Sequence, residues 1–246
     1  MHSYEAVDGI SRLSVVQNLN GFLPLIFICE ICGLAVVIMT AVWMGVVQEG
    51  GFGWTEKLVF HYHPVFMILG MVFIYGNAIL VYRVFRNTKK IRAKWLHAIL
   101  NLLALILGSV GLKAVFDSHN LKNKPNMYSL HSWVGLGAVI LFGCQWVLGF
   151  ISFLFPKLPE TLRAAILPLH RSLGMIILGL AIAAAVMGIT EFNGSYDIAN
   201  RSSTMLGNFI GIIGLVFVSI VLFLVVWSEY RRIEPGTEEE RIILSD

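Results

Sequence analysis

Four histidines stand near the start of four separate apolar segments, each long enough to cross a membrane: His63, His97, His131 and His170. Successive segments run in opposite directions, so we expect His63 and His131 near one face of the membrane and the other two near the opposite face. Imidazole binds metals through a neutral ring nitrogen, and an ionisable residue inside a span usually marks a functional site. The spacing therefore predicts two pairs of imidazoles.

Each pair fits the two axial ligands of one haem iron. Zinc requires three or four ligands at one point, and a histidine bonded only to a neighbouring helix leaves the paired heights unexplained. Helical bundles commonly house cofactors in their cores. Gly70, Gly135 and Gly174 follow histidines at helical spacing and would leave room for a flat ring, although small residues also serve simply to pack membrane helices. Without a Cys-Xaa-Xaa-Cys-His sequence, haem would be bound non-covalently.

The elements that carry these histidines are long and almost uncharged. Of the 246 residues, 57% are hydrophobic and 13% are charged, against roughly 25% charged in a soluble domain. A span needs about 20 apolar residues, and only a helix satisfies the backbone in lipid. We predict an all-α membrane protein, a single domain over 1–246 with tails at 1–20 and 229–246. Its six spans are predicted at about 21–47, 58–82, 95–116, 127–155, 165–189 and 205–228.

Composition argues against other classes of protein. The net charge of +3 gives no support for nucleic-acid binding, and three cysteines do not make a disulfide framework. Residues 1–20 lack the basic region, apolar core and cleavage site of a signal peptide, so we expect no cleaved leader.

The distribution of lysine and arginine predicts the orientation. Thirteen of the 18 lie on the side of the 83–94 connection and five on the other, and basic loops are normally cytoplasmic. We therefore expect both termini and the His97–His170 pair on the cytoplasmic side. Asn193 and Asn200 begin glycosylation sequons, and both fall on the non-cytoplasmic side, in agreement with this orientation.

Five stretches of the chain resemble the cytochrome b561 family. The Tyr128-Ser-Leu-His-Ser-Trp133 stretch is highly specific, and the 76–86 stretch is more like the animal secretory-vesicle members than the duodenal ferric reductases. The other three stretches are Phe60-His-Tyr-His-Pro-Val65, Leu96-His-Ala98 and Leu167-Pro-Leu-His170, within a match that covers about residues 25–230.

The resemblance implies a core of the second to fifth helices that holds two non-covalent haem b groups. It pairs His63 with His131 on the non-cytoplasmic side and His97 with His170 on the cytoplasmic side. It also implies electron transfer from cytosolic ascorbate to monodehydroascorbate or ferric iron, and a homodimer. Family members of this kind are expected in a secretory or endolysosomal vesicle membrane or in the plasma membrane.

Basic residues near the cytoplasmic pair are candidates for the ascorbate site, because ascorbate is an anion at neutral pH. Arg83, Lys90, Lys94 and Arg163 fit by charge and position, and the last three match the family's cytosolic ascorbate contacts. The alternative is that these charges serve only membrane topology.

On the other face, the resemblance places Phe116, His119 and Tyr128 over the outer haem, where they would meet the acceptor. A histidine there binds a ferric chelate or passes a proton, unless it is simply a solvated loop residue. Lys113 either forms an ion pair with Asp117, four residues later, or favours anionic monodehydroascorbate.

Three functions remain open on the sequence alone. The first is a trans-membrane oxidoreductase, with ferric-chelate reduction as an alternative main activity. The second is a transporter whose histidines relay metal ions or protons, which the near-absence of intramembrane carboxylates other than Glu30 disfavours. The third is a structural membrane protein, which leaves the paired heights of the histidines unexplained.

Overall fold

A computed structural model describes residues 19–48, 50–195 and 201–232, and it contains helices but no strand in these ranges. Six of the described helices are long and apolar enough to cross a membrane, so the prediction of an all-α protein with six spans is confirmed. In chain order they are α1 (Phe22–Val47), α2 (Val59–Val84), α3 (Lys90–Leu121), α4 (Leu130–Phe153), α5 (Glu160–Ser195) and α6 (Arg201–Val226).

Two of these helices, α3 and α5, extend well beyond their apolar segments. Hydropathy places the ends of a span where charge begins, but lysine, arginine and glutamate are good helix formers and continue the helix outside the hydrocarbon. Glu160 also stands in the first turn of α5, where a carboxylate is favourable beside the positive end of the helix dipole. As a result Lys94, His119 and Arg163 are held on helices rather than in loops.

The second helix, α2, is not regular along its length. It begins with a 3₁₀ turn at Val59–His61, and it winds as a π-helix over Met67–Ile74 before returning to α-helix at Tyr75–Val84. Wide turns of this kind are frequent at functional sites. Here they lie between the level of His63 and the level of Tyr75, and they reset which face of α2 points into the bundle.

The core consists of two helical hairpins, α2 with α3 and α4 with α5, which close against each other; α1 and α6 pack together and against α2 and α5. Gly70 of α2 approaches α3 so closely that an added Cβ would lie 3.0 Å from the Ala104 carbonyl oxygen. Small residues allow such backbone contact between membrane helices. Gly70 therefore serves the α2–α3 contact and does not make room beside His63.

Candidate functional site

The four histidines form two pairs at opposite ends of the bundle. The ring centres of His63 on α2 and His131 on α4 are 6.0 Å apart. Those of His97 on α3 and His170 on α5 are 6.2 Å apart. Because α2 and α4 begin at one end of the bundle and α3 and α5 begin at the other, each pair lies near its own face. The structure brings together the same partners that the resemblance implies.

Three of the imidazoles are oriented by a backbone carbonyl of the neighbouring helix in their hairpin. The bonds join Nδ1 of His63 to Gly111 O at 3.0 Å, His97 to Ala78 O at 2.8 Å, and His131 to Ala184 O at 2.8 Å. A carbonyl can only accept, so each of these Nδ1 atoms carries the proton. Nε2 is then left with its lone pair, which is the tautomer that a metal ligand needs.

Within the α2–α3 hairpin the arrangement is reciprocal, since each helix supplies the carbonyl that orients the other's histidine. Each of these carbonyls lies at the level of the histidine that it orients, on a helix whose own histidine belongs to the other pair. Gly111 follows His97 by 14 residues on α3, and Ala184 follows His170 by 14 residues on α5. At 1.5 Å per helical residue the two levels are therefore about 21 Å apart.

Two glycines leave the space that two of the imidazole rings occupy. A Cβ added to Gly188 on α5 would lie 2.7 Å from Cε1 of His131, and one added to Gly149 on α4 would lie 3.0 Å from Cε1 of His170. The sequence does not distinguish these two glycines from the other glycines of the spans. Gly174, which the sequence predicted to leave room beside a histidine, faces Gln145 and Tyr75 instead.

Each pair has the separation needed to hold one metal atom between its rings. A metal–imidazole bond is about 2 Å and the nitrogen lies about 1 Å from the ring centre, so two opposed ligands place their ring centres about 6 Å apart. The described residues include no group of three or more histidine, cysteine or acidic side chains that could hold a bare ion. Two protein ligands at each site fit a macrocycle that supplies the remaining four.

Amide side chains bind the backbone on the histidine-bearing helices. Asn101 donates to the carbonyl of His97 at 2.7 Å, and Gln145 on α4 donates to the carbonyl of His170 at 2.6 Å. Polar groups in the core of a membrane bundle need such partners. Gln145 therefore ties α4 to α5 at the depth of His170.

An aromatic pair fills the space between the two levels. Tyr75 of α2 and Phe142 of α4 are buried, and their ring centres are 4.5 Å apart in an edge-to-face arrangement. The Tyr75 hydroxyl donates to the Gly174 carbonyl of α5 at 2.7 Å, as a buried phenol requires. Three of the four core helices thus meet between the histidine levels and nearer to His97 and His170, since Tyr75 precedes Ala78 by three residues and Gly174 follows His170 by four.

A cavity of about 290 Å³ opens at the His63–His131 end and is lined by both histidines. Phe116, His119 and Tyr128, the predicted acceptor-site residues, also line it. The rings of His119 and Tyr128 stack with centres 6.1 Å apart.

The same cavity is also lined by a carboxylate, Glu191, that was not predicted from the sequence. Glu191 lines the cavity and accepts a hydrogen bond from the Tyr128 hydroxyl at 2.5 Å. That bond is the main reason that the pKa of Tyr128 is raised, so the phenol stays protonated. The lone signal in the sequence was a glutamate at the end of an otherwise apolar segment.

Two of the predicted ascorbate residues meet at the α4–α5 connection. Lys94 Nζ donates to the Phe153 carbonyl at 3.3 Å, and the Phe153 ring centre is 5.3 Å from that of His170. Arg163 Nε donates to the Leu158 carbonyl at 2.9 Å. Lys94 is therefore bonded to the residue whose ring packs against His170, and Arg163 is bonded to the α4–α5 connection that follows it.

The other two predicted ascorbate residues are placed differently. Arg83 donates to the Val225 carbonyl of α6, on the α6 side of α2, and the charges of Arg86, Arg171 and Arg231 act on it. Lys90 begins α3, one turn before Lys94.

Several other polar residues in and beside the spans have local partners. Lys113 Nζ lies 2.8 Å from Asp117 Oδ2, and the same oxygen accepts a hydrogen bond from Trp54 Nε1 at 2.8 Å. The ion pair with Asp117 is therefore the alternative for Lys113 that the structure contains. Glu30 of α1 interacts with Asn77 of α2.

The two sequons are only partly described. Asn193 lies on α5, and its amide donates to Thr204 O at 3.3 Å and to Asn208 Oδ1 at 3.2 Å. Asn200 lies outside the described residues.

The profile of the family described as "Eukaryotic cytochrome b561" matches residues 62–193. The chain belongs to the cytochrome b561 family. The matched region of this cytochrome b561 contains α3 and α4 whole and nearly all of α2 and α5. These are the four helices that carry the paired histidines, while α1 and α6 lie outside the match.

Curated relatives cover nearly the whole chain. The Homo sapiens protein named transmembrane ascorbate-dependent reductase CYB561 is 39% identical over 222 residues, which are 88% of this chain and 87% of the relative. The Bos taurus lysosomal membrane ascorbate-dependent ferrireductase CYB561A3 is 40% identical over 230 residues, 89% and 86% of the two chains. A Caenorhabditis elegans protein, named as a putative CYB561 homologue, is 36% identical over 241 residues, 91% and 90%.

Proposed function

We propose that this protein is a membrane oxidoreductase that carries single electrons from ascorbate, through two haem b groups, to an acceptor on the opposite side of the membrane. The observation that carries the proposal is the two histidine pairs, 6.0 Å and 6.2 Å between ring centres, at opposite ends of a six-helix bundle. The names of the relatives, which are ascorbate-dependent reductases, support the same activity.

His63 and His131 would hold one haem iron, and His97 and His170 the other, each through Nε2. Haem b, when bound, supplies a reversible one-electron iron couple. The protein positions the two groups: the carbonyls of Gly111, Ala78 and Ala184 orient three of the imidazoles. Buried side chains between the two levels, among them Phe142, Ile177 and Leu178, make this part of the core apolar.

The donor site would lie at the His97–His170 end. Ascorbate monoanion loses one electron and one proton there and becomes the monodehydroascorbate radical anion. Lys94 and Arg163 would attract the anion, since Lys94 bonds to Phe153, which packs against His170, and Arg163 bonds to Leu158 in the adjoining α4–α5 connection. Lys90 and Arg83 would add to the positive potential from greater distances.

The acceptor site would be the cavity at the His63–His131 end, with Phe116, His119 and Tyr128 in contact with the acceptor. Monodehydroascorbate takes up one electron and one proton to return to ascorbate. Ferric iron, which takes one electron to become ferrous, is the second candidate. It is supported by the ferrireductase relative, which is 40% identical over 230 residues, against 39% over 222 residues for the Homo sapiens reductase.

The orientation predicted from the distribution of lysine and arginine would place both termini and the donor site on the cytosolic side. The protein would lie in a secretory or endolysosomal vesicle membrane or in the plasma membrane. The relative that is named as a lysosomal membrane protein supports an endolysosomal membrane. The homodimer, the glycosylation of Asn193 and Asn200, and the single domain over 1–246 stay predictions.

The test is electron transfer across vesicles that contain the purified protein and are loaded with ascorbate. External monodehydroascorbate or a ferric chelate should be reduced while the internal ascorbate is consumed. His170→Ala should abolish the transfer, and His61→Ala should preserve it, because His61 bonds to the Gly51 carbonyl and belongs to neither pair. Transfer that persists in His170→Ala would refute the proposed path.

A further inference from the structure

The mouth of the cavity at the His63–His131 end carries more positive than negative charge. Lys122 and Lys124 line it together with His119, and Glu191 is the one carboxylate among the described residues of its lining. Glu191 accepts from Tyr128 at 2.5 Å and also interacts with Ser129. The ammonium groups of the two lysines have no ion-pair partner among the described residues.

The two lysines are fixed at the mouth by the backbone of their loop. Lys122 N donates to Ser118 O at 3.2 Å, and Lys124 N donates to His119 O at 2.9 Å. Further along, Asn126 Nδ2 donates to Asn120 Oδ1 at 2.9 Å. The segment after α3 is thereby folded back over the end of the helix, and both lysines are held close to His119.

Membrane topology does not account for these charges. Positive residues concentrate on the cytoplasmic side of membrane proteins, and the orientation proposed above puts this loop on the opposite side. Lys113, another lysine near this end, is paired with Asp117 and lies outside the cavity lining. Lys122 and Lys124 remain as cations whose position at the cavity needs another cause.

We propose that Lys122 and Lys124 select the acceptor by charge, so that the cavity takes anionic one-electron acceptors and disfavours cationic ones. Monodehydroascorbate and negatively charged ferric chelates belong to the favoured class, and the free ferric ion does not. Fixed charges at the mouth of a cleft raise the local concentration of oppositely charged substrates and speed their association. This inference rests on the proposed function, since it concerns the acceptor of that electron transfer.

The experiment compares two acceptors of opposite charge on protein first reduced by ascorbate. Ferricyanide, a trianion, and hexaammineruthenium(III), a trication, each accept one electron, and the oxidation of the haem band reports the rate. For Lys122→Gln/Lys124→Gln we expect the second-order rate with ferricyanide at low salt to fall about tenfold, and the rate with the ruthenium complex to hold or rise. Lys122→Arg/Lys124→Arg should behave as wild type.

Lys57→Gln is the matched control, because Lys57 is an exposed lysine at the same end that does not line the cavity. It should leave both rates unchanged. Equal changes with the two acceptors in the double glutamine variant, or no change with either, would overturn the inference.

A second readout does not depend on electron transfer. Ascorbate or ferrocyanide should protect Lys122 and Lys124, but not Lys57, from an amine-reactive reagent, as measured by mass spectrometry of the labelled peptides. Equal labelling with and without the anion would overturn charge selection by the lysines. If ascorbate fails to reduce the protein while protection is observed, the proposed function fails and the anion site stands.

Discussion

At the scale of single residues, each proposed haem site depends on its two histidines and on the contacts from neighbouring helices that orient their rings. Four histidines in apolar spans are conspicuous because an ionisable group in lipid is costly. The glycines that leave room for two of these rings are inconspicuous, because Gly149 and Gly188 differ from other glycines only through the helix that packs against them. Glu191 was missed for a similar reason, since its hydrogen bond to Tyr128 joins residues 63 positions apart.

Gly188→Ala should disturb the His63–His131 site alone. The new methyl group would lie within 3 Å of the His131 ring, so the imidazole must move away from its partner. We expect about half of the bound haem to be lost, or the spectrum and midpoint potential of one haem to shift. Gly179→Ala on the same helix is the control, because an added Cβ there meets no atom within 4 Å. Identical haem spectra in both variants would contradict the role of Gly188.

Lys94→Ala should weaken the donor site. Loss of one positive charge beside the segment that covers His170 should raise the ascorbate concentration for half-reduction about three- to tenfold, without changing the absorption spectrum. The titration is followed by the reduced haem band. Lys89→Ala, at an exposed position just before α3, serves as the control, and equal titrations for the two variants would clear Lys94 of this role.

At the scale of helices, hydropathy identified all six spans because lipid allows few alternatives to a helix. It did not predict how far α3 and α5 extend, since charged helix formers continue both beyond the hydrocarbon. It also did not predict the π-helical segment Met67–Ile74 of α2, because apolar periodicity gives no signal for wider turns in a segment that is apolar on every face.

Tyr75→Phe should loosen the contact between α2 and α5 without removing haem. It deletes the 2.7 Å hydrogen bond to the Gly174 carbonyl, and such bonds between membrane helices contribute about 0.6 kcal/mol on average. Thermal unfolding in detergent should shift down slightly. Tyr62→Phe removes a hydroxyl for which the described residues offer no hydrogen bond, so an equal shift in that variant would argue against the Gly174 bond.

At the scale of the whole molecule, the two hairpins place one histidine pair near each face, and the levels are about 21 Å apart along α3 and α5. That arrangement follows from where the histidines fall in successive antiparallel helices, so the sequence alone indicated that one pair lies near each face. The charge at the His63–His131 cavity did not follow in the same way. The sequence offered Lys113 either as an ion-pair partner of Asp117 or as a charge that favours the acceptor; the fold shows the ion pair, and it brings Lys122 and Lys124 to the cavity instead.

The most direct test of the whole account is the haem content per polypeptide of the purified protein and of two single variants. We predict two haem b per wild-type chain, one in His131→Ala and one in His170→Ala, with the remaining haem differing in midpoint potential between the variants. A wild-type chain with fewer than two haems, or variants that keep both, would contradict the assignment of one haem to each histidine pair.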